Sequence, residues 1–207
     1  FIDADSGNII SARHILVEPA MNLFRNFNED FFVNNDGILR GTNYNYKFYA
    51  IVPSYSAASL TQKYPIFVVA MSKLGTYADV VIFKPLQKIP VRGLKLSNNI
   101  GVGHTVYTSG FTEEWGYFYH LDGQKIFVKS SEIKFTFEHT VLAIINNKDL
   151  SGANKMIRIS KPVQHGFSGG PVLNKNGEVV GIIIQTTGLF SFAILSKEAT
   201  DLMRLIK

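Results

Sequence analysis

Period-two and short apolar segments recur along almost the whole chain: NYKFYAIV, PIFVVAM, DVVIFK, GHTVYTSG, YFYHL, KIFVKS, EIKFTFEHTVLAII, KMIRIS, EVVGIIIQ and SFAIL. Alternation at period two buries one face of an extended strand, and the turn residues between segments hold each one to strand length. This pattern confines the chain to an all-β architecture. Two hairpin turns are legible, Asp122-Gly123 between YFYHL and KIFVKS, and Asn176-Gly177 between PVLN and EVVGIII, both of the type favoured in tight connections. The one convincing helix is the tail, SKEATDLMRLIK, where Ser196 is expected to cap and Ala199, Leu202, Met203 and Ile206 share an apolar face.

Between Phe83 and Asn98 the sequence FKPLQKIPVRGLKLSN has two prolines, several cations and no period, so it reads as a linker between two β-rich halves. The stretch from Glu18 to Asn45 is rich in Asn and aromatics and is expected to hold a long loop, a common place for function. At 207 residues with 46% hydrophobic and 18% charged residues, the chain can bury a sizeable core, and order is expected throughout. Its longest apolar runs, PIFVVAM and VVGIII, are far shorter than the roughly 20 residues that span a bilayer. The net charge of +5 comes from scattered Lys and Arg without a dense basic run, which argues against nucleic acid as a partner. Cysteine is absent, so disulfide and thiolate chemistry are excluded and the usual clue to compartment is silent.

One stretch carries more glycine than a strand-forming chain tolerates without reason: His165-Gly166-Phe167-Ser168-Gly169-Gly170-Pro171. Glycine serves where φ must be positive or where another group approaches bare backbone. A G-x-S-x-G match is either a solvated turn or an exposed nucleophile, and its partners decide which. A serine hydroxyl needs a neighbouring base, usually His, itself oriented by a carboxylate. Of the five histidines, His14, His104, His120, His139 and His165, His14 sits where the apolar strand GNIIS ends. Asp79 directly precedes the apolar strand Val80 to Phe83, where a charge is seldom buried without a partner. Asp30 and Asp36 lie in the Asn-rich loop and read as solvated or turn residues.

The order His14, Asp79, Ser168, within ISARH, ADVVIFK and HGFSGGPVLNKNGEVVGI, resembles the chymotrypsin-like serine peptidases, and among them the cysteine-free branch that includes the HtrA/Deg proteases. GVGHTVYTSGF and SFAIL followed by a helix are similar to that branch's second half, so the resemblance covers nearly the whole chain. It implies two antiparallel β-barrels with a C-terminal α-helix: residues 1–84 as a first barrel carrying His14 and Asp79, 85–98 as the linker, 99–195 as a second barrel carrying Ser168, and 196–207 as the helix. It implies a serine endopeptidase in which Ser168 attacks a peptide carbonyl, His14 moves the proton, Asp79 holds the imidazole, and the N–H groups of Gly166 and Ser168 form the oxyanion hole. No cofactor or metal is called for, and the partner is a protein or peptide substrate.

The resemblance has departures. The family's digestive members carry an aspartate before the nucleophile that pairs with a freshly cut N-terminus; Phe167 stands there, so activity is not expected to depend on such a switch. The chain opens at FIDAD within the first strand region and stops at Lys207, where HtrA/Deg proteins continue into PDZ modules; it is expected to be a protease domain cut from a longer chain or a solitary member. By resemblance the primary pocket is lined by Gln164, His165, Ile184, Gln185, Ser191 and Ala193. None of these is a fixed anion, and Ile183 replaces the pocket histidine of glutamyl endopeptidases, so an apolar residue on the acyl side of the cut is expected. The alternatives are a sequence-selective viral or effector processing protease on the same fold, and a catalytically silent peptide-binding scaffold. FIDADSGNIIS has no signal-peptide pattern, and an extracytoplasmic site is only slightly favoured, since a trimmed chain has lost such a segment. An oligomer is possible.

Overall fold

The computed structural model describes residues 1–15, 48–52, 62–72, 78–111, 117–121, 124–128, 134–149 and 152–206. The Asn-rich stretch 18–45 and the Asp122-Gly123 turn lie outside the described residues. The first half contributes β1 (Ile9–Ser11), β2 (Phe48–Val52), β3 (Gln62–Met71) and β4 (Val81–Pro85), an antiparallel sheet in the order β1-β4-β3-β2. The second half supplies β5 (Thr105–Phe111), β8 (Lys134–Asp149), β9 (Gly152–Ser160), β10 (Pro171–Leu173), β11 (Val179–Thr186) and β12 (Phe190–Leu195), which close into a barrel in the order β10-β11-β12-β9-β8-β5. A separate hairpin pairs β6 (Tyr117–Leu121) with β7 (Gln124–Val128). The architecture is all-β with one closing helix, α1 (Ser196–Met203).

Alternation explains which side chains fill the barrel. Val106, Val141, Ile157, Ile159, Val172, Val180, Ile183 and Ala193 point inward and are buried, and Phe167 joins them from the loop after β9. The opposite face of β11 and β12 is covered too: Ile182 and Ile194 pack with Ile10, Ala70, Val80 and Ile82 of the first sheet and with Ala199 and Leu202 of the helix. Burial on both faces is why VVGIII runs without a polar break. This shared core packs the first sheet, the barrel and the helix together.

The proline-bearing connection is stitched to both sides. Leu94 bridges to Asp3 and Leu96 bridges to Val179. Ser196 departs from its expected capping role: Leu195 occupies the N-cap position without a side-chain cap, and Ser196 is fully buried with its Oγ donating to Ser97 O at 2.6 Å. Because β12 runs straight into the helix, the Ser196 hydroxyl faces the connection and satisfies a carbonyl there rather than a helix N–H. The Asn176-Gly177 turn follows its sequence, with Gly177 at φ +76° and Asn174 Oδ1 accepting the N–H groups of Asn176 and Glu178.

Candidate active site

β1 ends at Ser11, Ala12 is fully buried, and the chain turns helical at His14, so the imidazole leaves the sheet edge at a fixed angle. β4 pairs with β1, and the residues leading into it bring Asp79 alongside. Arg13 N–H donates to Asp79 O at 3.3 Å and His14 N–H donates to Asp79 Oδ1 at 2.9 Å. The ring completes the pair, with His14 Nδ1 2.5 Å from Asp79 Oδ2. An ionised carboxylate only accepts, so this contact favours the tautomer with the proton on Nδ1. The carboxylate side chain is 13% exposed and the imidazole 25%, which keeps the pair partly desolvated while leaving the ring reachable.

Arg13 also faces this carboxylate, its Nε 3.6 Å from Asp79 Oδ1. Its Nη1 donates to Ser72 O at 3.3 Å and to Ser72 Oγ at 3.4 Å, and Ser72 Oγ is itself tied to Val80 O and N–H. Burial lowers the Arg13 pKa from its ordinary value while Asp79 acts in the raising direction. The sequence reading passed over Arg13. SARH sets a cation beside the candidate base, where a buried charge would need a partner, but the local sequence does not say whether it turns inward.

The serine lies in the second of two successive tight turns. Phe167 N–H donates to Gln164 O at 3.3 Å with Gly166 at φ +97°, and Gly170 N–H donates to Phe167 O at 2.8 Å with Gly169 at φ +81°. Positive φ at the third residue of each turn is the type II pattern, which turns the central peptide over relative to type I. The first turn therefore sets which way the Gly166 N–H points. Among the described residues neither the Gly166 N–H nor the Ser168 N–H makes a hydrogen bond, and Ser168 Oγ makes none either. The second turn presses on β1: a Cβ at Gly169 would lie 2.0 Å from Ser11 Oγ and 2.8 Å from Ala12 N. Ser168 is thus held beside the strand end that delivers His14, while Gly169 N–H donates to Ile183 O at 2.8 Å and anchors the turn to β11.

The segment ahead of this turn is fixed from below. Lys161 takes φ +69°, a strained conformation for a side-chain-bearing residue. Ser191 Oγ donates to Lys161 O at 3.2 Å and accepts from Val163 N–H at 2.8 Å, and Ser160 O accepts from His139 Nδ1. His139 Nε2 lies 2.9 Å from Thr108 Oγ1, and burial, with a smaller push from Lys161, lowers the pKa of this imidazole against the raising effect of Ser160 O. Of the expected pocket residues, Gln164, His165 and Gln185 are exposed and Ile184 is half-buried in a register shift between Ile183 and Gln185. Ser191 and Ala193 are fully buried, Ala193 in the barrel core, so in this structure both shape the wall from within. Among the described residues no cluster of His, Asp or Glu could hold a metal ion.

Residues 1–182 match the family model of the trypsin-like peptidase domain, which places the protein among the serine endopeptidases. The chain belongs to the trypsin-like peptidase domain family. Solved structures share the fold at low identity. The Rv3671c protease of M. tuberculosis in its inactive form has 15% identity and a TM-score of 0.58, covering 100% of this chain and 81% of that one. The MamO protease domain from Magnetospirillum magneticum has 14% identity and a TM-score of 0.59, covering 97% of this chain and 84% of that one. The serine endoprotease from Yersinia pestis has 18% identity and a TM-score of 0.55, covering 99% of this chain and 56% of that one. A comparison with curated proteins found no match.

Proposed function

We propose that the protein cleaves peptide bonds through Ser168, His14 and Asp79, by way of an acyl-enzyme. Ser168 Oγ attacks the scissile carbonyl as His14 Nε2 takes its proton; the same nitrogen then protonates the leaving amine, and a water repeats the sequence to release the acyl group. Asp79 keeps the proton on Nδ1 and stabilises the imidazolium that forms. The unengaged N–H groups of Gly166 and Ser168 receive the developing oxyanion, each typically contributing about 2.7–4 kcal/mol. The observation that carries this reading is the 2.5 Å contact between His14 and Asp79, seated at the strand end against which the Gly169 turn packs. An apolar acyl-side residue fits the absence of an acid among Gln164, Ile184, Gln185 and Ser191, and an extracytoplasmic compartment is the setting proposed.

The test is a fluorophosphonate probe with intact-mass detection. Wild-type protein should gain one adduct on Ser168, and Ser168→Ala should gain none. Equal labelling of both proteins would move the nucleophile elsewhere.

A further inference from the structure

We infer that Arg13 is a positioning residue that sets the pH at which His14 becomes an active base, a proposal that rests on the triad reading above. Asp79 divides its two oxygens: Oδ2 receives the His14 ring, and Oδ1 receives the His14 backbone N–H and the Arg13 guanidinium. Among the described residues Asp79 pairs with Arg13 and His14, so the imidazole shares its anion with a neighbouring cation. The cation is fixed. Its side chain is 12% exposed, Nη1 is held by both oxygens of Ser72, and Ser72 is buried at the end of β3 with no charge of its own. Screening by solvent and salt is weak for a charge so placed.

Two consequences follow for catalysis. Opposite charge beside the imidazolium favours it, and the guanidinium offsets part of that attraction, so with Arg13 present His14 stays neutral to a lower pH than it would beside Asp79 alone. The guanidinium also stands 3.6 Å from Oδ1, where its attraction adds to the His14 N–H bond in holding the carboxylate against Nδ1. Removing the cation should therefore move the acidic limb of kcat/KM upward, and removing the contact should lower kcat while leaving KM nearly unchanged.

The experiment is a pH profile of kcat/KM on a peptide ester substrate for the wild type, Arg13→Gln, Arg13→Met and Arg13→Lys, with Ser168→Ala and Asp79→Asn alongside and thermal melts on each. The acidic limb should rise by about half to one pH unit in Arg13→Gln and Arg13→Met, with kcat several-fold lower. In Arg13→Lys the limb should return to the wild-type position because the charge is kept. Profiles of the Gln and Met proteins that superimpose on the wild type would overturn the proposal while Ser168→Ala and Asp79→Asn remain inactive. If those two controls keep full activity, it is the triad reading that fails. Loss of folding in both neutral variants, with a folded Lys variant, would assign Arg13 to stability alone and overturn the proposal as well.

Discussion

Gly169→Ala is the substitution whose cost can be worked most directly from the structure. The native φ of +81° lies in the left-handed region, where an L side chain costs roughly 1–2 kcal/mol. The new methyl would also stand 2.0 Å from Ser11 Oγ, 2.8 Å from Ala12 N and 3.1 Å from Ser11 Cβ. Ser11 Oγ can rotate away, but Ala12 N belongs to the backbone of a fully buried residue, and overpacking of this kind typically costs about 1–3 kcal/mol. Together these give about 2–5 kcal/mol, a large share of the ~5–15 kcal/mol that separates a native domain from its unfolded chain. For a chain of this size the melting temperature should fall by about 5–15 °C, readable by calorimetry. Relief should come from the partner side: Ser11→Gly removes both Ser11 contacts and, in the double variant, should recover about 1 kcal/mol. Because the clash lies between the serine turn and the strand end that delivers His14, fluorophosphonate labelling of the folded variant should slow as well. A Gly169→Ala protein that melts within 2 °C of wild type and labels at the wild-type rate would refute the contact on which the site depends.

Two other tests bear on the same region. Asp79→Asn should lower turnover by about four orders of magnitude, because an amide no longer fixes the proton on Nδ1; steady-state kinetics at the pH optimum measure this, and unchanged turnover would hand the orienting role to another group. His139 is buried with its pKa below the ordinary histidine value, so the unfolded chain binds the extra proton first as pH falls. Its contribution is therefore complete above the unfolded value of about 6.5 and is lost progressively as pH drops from there towards the depressed native value. In urea titrations at pH 7.5 and pH 5.5, replacing His139 by Asn should flatten part of the wild-type difference; an identical difference in both proteins would refute this.

The fold was legible because its cause is local. Alternation along β5 and β9 and the unbroken apolar run of β11 are properties of neighbouring residues, and so are the Asn176-Gly177 turn and the apolar face of Ala199 and Leu202 in the helix. What was not legible depends on residues far apart in sequence. Ser196 reads as an N-cap because its neighbours are helix formers, yet its partner is Ser97 O, which only the return of the chain brings near. Ser191 reads as a pocket residue, but that its hydroxyl ties Lys161 to Val163 is set by a segment some 30 residues away. At the site, His14 and Asp79 could be singled out because each stands at the end of an apolar run. Arg13 could not be ranked beside them, since nothing in SARH tells whether a cation next to a strand end reaches inward or out to water.

Phe167 joins these levels. It is the residue just before Ser168, it is fully buried, and its ring lies 5.6 Å from Phe137 in the barrel core. The backbone of Gly110 admits it closely: a Cβ there would come within 2.9 Å of the Phe167 ring. Burying a phenylalanine contributes about 1.5–3 kcal/mol, enough to hold the Ser168 turn in one arrangement without any charged partner. An acid at this position would need a cation brought to it before the turn could settle. A hydrophobic anchor needs only that the barrel fold, so the two turns that meet at Phe167 are ordered by the same event that forms the core. Phe167 itself offers the turn no charge to switch.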